Sequence, residues 1–188
     1  MTLQVFVPLL LAAVLAVYIG IAVRTAYRLR GQRVVVCPET KQPAGVTVNL
    51  GHAATTAVWE KADVRLTACS RWPERAGCDQ PCVAQIEAEP DETRAKAIAT
   101  HFFDGKRCAI CQRIIERPNA ATLQPGFMHP DSHEVKAWDE VAPADLPDAT
   151  EHHLPLCANC TLAESFRQRF PEEVVDRIPR PGTTLPPQ

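Results

Sequence analysis

The sequence predicts an α+β protein assembled in series: an N-terminal transmembrane helix, a small three-stranded subdomain containing four cysteines, a linking helix, and a second subdomain organised by four more. Three observations lead there. A long uncharged run opens the chain, three short strand-like stretches follow it, and the eight cysteines fall into two sets of four.

The run from Leu3 to Val23 carries no charge, and at about 1.5 Å per residue it is long enough to cross a hydrocarbon core of ~30 Å. Pro8, near its start, is tolerated in a membrane helix. A secretory signal would place basic residues before the apolar run, yet MTLQ has none and Arg24, Arg28, Arg30 and Arg33 all follow it. The positive-inside rule therefore puts the C-terminal domain in the cytoplasm and the N-terminus outside, with residues 3–23 in lipid. The arginines of the basic juxtamembrane linker are expected to meet lipid phosphates.

Composition narrows the rest. The net charge of −2 argues against a nucleic-acid partner. Aromatics make up only 6% of the 188 residues while prolines number 17, so much of the backbone is turn or loop that burial alone would not fix. Cysteines supply the alternative. In an oxidising compartment eight of them suit disulfides; in the reducing cytoplasm that the arginines imply, they suit metal.

Arg33 to Cys37 (RVVVC), Gly45 to Leu50 and Val64 to Cys69 read as strands, with PETKQPA a turn and Ala53 to Asp63 a short helix. Pro73, Gly77 and Pro81 make the stretch after Cys69 irregular, before a helical turn at Val83 to Ala88. Asp91 to Phe103 repeats apolar residues at helical spacing between Pro90 and Gly105. Beyond it the sequence predicts a hairpin with strands near Gln112–Arg117 and Glu134–Asp139, then an acidic loop. A helix follows from Thr161 to Phe170, with Leu162, Phe166 and Phe170 facing inward, and then a short helical segment in EEVVDRI.

Cys108-x2-Cys111 and Cys157-x2-Cys160 form the strongest motif. Two intervening residues let both sulfurs reach one ion while turn amides donate to them, and two such knuckles complete a tetrahedral four-sulfur shell. The second knuckle opens a helix, where the dipole favours thiolate. A knuckle, a hairpin and a second knuckle at a helix start resemble the treble-clef zinc finger over about Lys106 to Phe170, which implies a bound zinc ion without implying an activity. LCANCTLAESF also looks like the second knuckle of HNH nucleases, but Thr161 stands where those enzymes carry a histidine, and His129 and His133 are poorly placed for their hairpin motif. Two CxxC motifs weigh towards ligation over thiol exchange.

Cys37, Cys69, Cys78 and Cys82 form the other set, with spacings that match no standard finger or ferredoxin pattern. Cys37 and Cys69 end predicted strands, and Cys78 and Cys82 bracket a turn, so all four are placed to meet at one sheet edge. Zinc is the first choice there; an iron–sulfur cluster or unligated core cysteines are the alternatives, and iron would make the protein an electron carrier.

His152 and His153 lie near Cys157 but the shell is already full, so a surface or supporting role is expected. His101 reads as a helix-end residue, and His52 has no identifiable partner. Trp59 and Trp138 read as core or interface anchors, and Trp72 is expected to pack over the first cysteine set beside Arg71 and Arg75. Phosphate-binding loops, dinucleotide fingerprints and nucleophile elbows do not occur.

The whole chain, with CPET, CSRWPER, CxxxC and two CxxC motifs, resembles small membrane-anchored bacterial proteins, a likeness that places it in the inner membrane and adds no activity. The expected organisation is an anchor at 1–24, a basic linker at 25–32, a cysteine-containing sheet at 33–90, a linking helix at 91–105, a treble-clef-like zinc subdomain at 106–178 and a disordered Pro-rich tail at 179–188. The expected role is a non-enzymatic interaction or assembly module with a protein partner.

Overall fold

The computed structural model describes residues 2–72, 74, 75, 77–118 and 123–173. Helix α1 (Thr2–Leu29) continues through the predicted linker as far as Leu29. Its segment Phe6–Leu29 is long and apolar enough to cross a membrane, and the rest of the chain buries none of its most apolar stretch.

Strands β1 (Gln32–Val36), β2 (Pro43–Val48) and β3 (Leu66–Cys69) form an antiparallel sheet in that order. Helix α2 (Leu50–Thr56) starts three residues before the predicted position, because the Asn49 side chain accepts from the His52 amide and caps it there. It ends early because the Thr56 hydroxyl, while bonding back to its own helix, accepts from the Asp63 amide and draws the chain into a turn. Helix α3 (Val83–Ala88) lies where expected. Leu29, Val35, Val46, Val48, Ala53, Leu66 and Ile86 make the core of this half.

The linking helix α4 (Ala95–Phe103) begins four residues later than its periodicity suggests. Thr93 and Arg94 are spent on pairing with β1, through Val34 N–H to Thr93 O at 2.8 Å and a bridge between Arg33 and Arg94. One exchange of backbone partners therefore ties the strand that follows α1 to the entry of α4.

The predicted hairpin is real in its second strand and displaced in its first. Strand β5 (Val135–Ala137) pairs with β4 (Gly126–Met128), not with Gln112–Arg117, and β4 pairs on its other edge with β6 (Leu154–Leu156). Residues 112–115 are occupied in closing the knuckle, since Cys108 N–H donates to Arg113 O at 2.9 Å and Ile115 N–H to Lys106 O at 2.7 Å. The acidic loop holds a helix, α5 (Leu146–His152), entered through a single turn at Pro143–Asp145. Leu146 and Ala149 carry it onto Phe103, Phe127 and Leu156 in the second core. Phe102, Phe103 and Phe127 pack there with ring centroids 4.9–5.2 Å apart.

Helix α6 (Ala158–Arg169) inverts its expected packing. Leu162, Phe166 and Phe170 face outward, with Phe166 46% exposed, while Thr161 is buried. Thr161 sits so close above Gly126 that a Cβ there would lie 2.6 Å from its methyl, and the Gln168 side chain accepts from Val135 N–H and donates to His133 O. Polar contacts to the small sheet thus choose the inner side. Only Pro171–Glu173 of the last predicted helical segment is described, as a 3-10 turn; its remainder and the tail at 179–188 lie outside the described residues.

The two halves share β1: Val34 packs in the second core and Val35 in the first. Gly45 of β2 meets the turn before α5, where a Cβ would stand 3.0 Å from Pro143.

Candidate metal centre

Cys108, Cys111, Cys157 and Cys160 come together as their spacing predicts, all four sulfurs lying within 4.8 Å of one another. Cys111 and Cys157 Sγ are 3.7 Å apart. Zinc bonded to sulfur at ~2.3 Å in a tetrahedron separates its ligands by about 3.8 Å, so the spacing fits one such ion. Cys108 is fully buried and Cys111 exposed, which leaves the site at the edge of the core.

Each half of the site is positioned by backbone. Ala109 N–H donates to Pro155 O at 2.9 Å, holding the first knuckle against β6, and Leu156 at the end of β6 carries the chain directly into Cys157 at the start of α6. Burial opposes ionisation of Cys108, but hydrogen bonds from the backbone of Cys111, Cys157 and Ile110 outweigh it and bring its thiol down to about 6. Burial pushes the thiols of Cys157 and Cys160 up, as do the sulfurs of Cys108 and Cys111. A divalent cation would reverse that opposition by binding all four as thiolates.

Among the described residues the first knuckle is one of three copies of the same six-residue turn. In Cys37–Gln42, Cys108–Arg113 and His129–Glu134 the first N–H donates to the sixth carbonyl at 2.9 Å in each, and the fifth N–H returns to the first carbonyl at 2.8–3.0 Å. The fifth residue is left-handed every time: Lys41, Gln112 and His133 have φ of 57°, 61° and 56°. The sequence carries no sign of this repeat, because none of the three is a glycine.

In the third copy the amides of Asp131 and Ser132 point at His129 Nδ1, at 3.3 and 3.2 Å. These two amides occupy Nδ1, so that ring nitrogen is not free to bind a metal in this arrangement. His153 packs edge-on against His129 and Phe127, and burial, with His129 beside it, lowers its pKa. His152 is exposed beside Asp148. His101 is exposed near the end of α4, whereas His52, unpaired by expectation, bonds Asp63 through Nε2 at 2.7 Å.

Cys37, Cys69, Cys78 and Cys82 line one cavity of about 20 Å³ together with Trp72, Arg71 and Arg75, so Trp72 does pack over them. Among the described residues, only the second group draws its sulfurs within 4.8 Å of one another. Amide and hydroxyl of Thr40 and the amide of Glu39 lower the Cys37 thiol, and burial together with Cys69 and Cys78 raises that of Cys82.

Arg33 departs from its predicted role. It is fully buried, and its guanidinium donates to Leu29 O, Arg28 O, Pro90 O and Thr93 Oγ1, so it braces the end of α1 and is not exposed as a headgroup contact requires. Arg24, Arg28 and Arg30 are exposed.

Comparison of the chain with protein-family models, with curated proteins and with solved structures yields no match. What defines the protein is its own architecture: an apolar N-terminal helix followed by a mixed helix-and-sheet domain with a four-cysteine cluster fit to hold a metal ion.

Proposed function

We propose that the chain is a single-pass inner-membrane protein whose cytoplasmic domain is shaped by zinc, in the manner of a treble clef, and serves as an interaction or assembly module. The carrying observation is the closed set of Cys108, Cys111, Cys157 and Cys160. Four sulfurs complete a tetrahedral shell and leave no open position for water or substrate, the arrangement of a structural ion. Orientation is supported by Arg24, Arg28 and Arg30, exposed where α1 ends. A protein partner is supported by the outward stripe of Leu162, Phe166 and Phe170 on the helix that the site opens, with Phe166 and Phe170 rings 5.1 Å apart.

The test is metal analysis of the full-length protein purified anaerobically in detergent, with and without Cys111→Ser and Cys160→Ser. Zinc in the wild type, of which the pair of substitutions removes one ion per chain, with a loss of stability in the unfolding transition, is the expected result. Iron with acid-labile sulfide, or a folded domain indifferent to chelation, would overturn it.

A further inference from the structure

We propose that Cys37, Cys69, Cys78 and Cys82 bind a second, mononuclear zinc-class ion, independent of the first, in the cavity that their side chains share beneath Trp72. The turn that presents Cys37 is the first argument. Cys37–Gln42 reproduces the backbone pairing of Cys108–Arg113 bond for bond, down to the left-handed fifth residue, so Cys37 stands where a knuckle places its leading ligand. Thr40 takes the position that Cys111 has in the other copy, so this turn supplies one sulfur and the remaining three must come from elsewhere.

The fold brings them from three other places. Cys69 ends β3, one position from Ser70, whose N–H is fixed to Gly45 O at 2.9 Å. Gln80 adopts φ of 59°, which directs its N–H to Cys78 Sγ at 3.4 Å in the manner of a ligand-turn amide, while its side chain accepts from Leu66 N–H and pins the loop to β3. Cys82 is buried at the start of α3. Four sulfurs from four separate backbone sites thus face one space.

Four thiolates complete the shell of one tetrahedral zinc-class ion, and elemental analysis separates it from an iron–sulfur cluster held by the same four sulfurs. Of the described side chains from Cys69 to Cys82, only Cys69, Trp72 and Cys82 contribute to a core, so an ion would add a tie that burial there does not supply. Its binding draws the sulfurs together by the remaining distance.

The experiment counts ions in the full-length protein purified without oxygen in detergent, by elemental analysis against protein concentration. Two zinc ions per chain are expected, falling to one in Cys69→Ser and to one in Cys111→Ser with Cys160→Ser, and to none when all three are combined. Wild-type stoichiometry decides the matter even if a variant fails to fold. One ion per chain, unchanged by Cys69→Ser, would overturn the second site and leave the first standing; one ion lost only in Cys69→Ser would overturn the first and leave the second. Iron with sulfide, or four thiols found as two disulfides in the freshly purified protein, would overturn it as well.

Discussion

Arg33 Nη1 donates to Thr93 Oγ1 at 2.8 Å, and the amide of the next residue, Val34, donates to Thr93 O at the same distance. A guanidinium with no carboxylate in its hydrogen-bond set is thereby buried among carbonyls where the anchor, the sheet and the linking segment meet. Burial, and then the nearby Arg94, lowers its pKa to about 10, still well above neutrality, so it remains charged and keeps all its donors. It acts as a brace.

Arg33→Ala is therefore expected to destabilise the domain by roughly 2–3 kcal/mol, because Pro90 O and Leu29 O lose their buried donor. Arg33→Lys should recover only part of this, since an ammonium lacks the planar fork that reaches several carbonyls. Thermal unfolding of the detergent-solubilised protein measures both, and a wild-type midpoint in Arg33→Ala would show that the brace carries nothing.

Metal retention should fall with pH in a defined direction. The Cys108 thiol is depressed from 9.0 to about 6, so in the metal-free protein its contribution to stability is fully present above pH 9 and is lost as pH falls through about 6. The raised Cys157 and Cys160 thiols work the other way, costing stability at alkaline pH unless a cation is bound. Competition with a chromophoric chelator should thus show affinity rising as pH increases from about 6, and still rising at alkaline pH because the metal must displace the protons that Cys157 and Cys160 retain. A flat profile would exclude thiolate ligation.

Gly126→Ala tests the contact that turned α6. A Cβ would stand 2.6 Å from both Lys136 O and the Thr161 methyl, so the substitution must push β4 away from β5 and from the helix, at a cost of about 1–3 kcal/mol. Adding Thr161→Ala removes the clash with the methyl and leaves the one with the carbonyl. Partial rescue in the double variant, by thermal unfolding, is the expected outcome.

Phe166→Asp should leave stability within about 0.5 kcal/mol, since the ring is outside the core, while abolishing any complex that the apolar stripe forms in native-gel analysis of solubilised membranes. Strong destabilisation would mean that the stripe is core after all.

Trp59 is 78% exposed and lies with its ring centroid 5.6 Å from that of Tyr18 on the anchor helix. In nanodiscs containing brominated lipid its fluorescence should be quenched, and Trp59→Phe should remove most of the quenchable signal, because Trp72 and Trp138 are packed in the domain. Equal quenching without Trp59 would separate the domain's orientation from the one seen here.

Much of the first half was legible. RVVVC carries a β-branched run and VRLTAC an apolar alternation, both strand signatures, and the helical turn expected around Val83 to Ala88 lies there. The second half resisted because its strands are three residues long, too short for periodicity to register. Gln112–Arg117 looked like a strand since Ile114 and Ile115 are β-branched, yet the knuckle consumed their backbone bonds. The stripe of Leu162, Phe166 and Phe170 was visible as a stripe; which way it faced was not.

By itself the sequence determined the long apolar N-terminal helix and the four cysteines, Cys108, Cys111, Cys157 and Cys160, that cluster closely enough to hold an ion. Both are local quantities: an uncharged length measured against a bilayer, and a spacing of two residues measured against one ion. Only the tertiary structure decided that Arg33 turns inward, that Thr161 over Gly126 sets the face of α6, and that Cys37, Cys69, Cys78 and Cys82 share one cavity. These depend on which distant segments come into contact, and they rest on left-handed residues such as Lys41 and Gln80 whose side chains give no notice of the backbone they adopt.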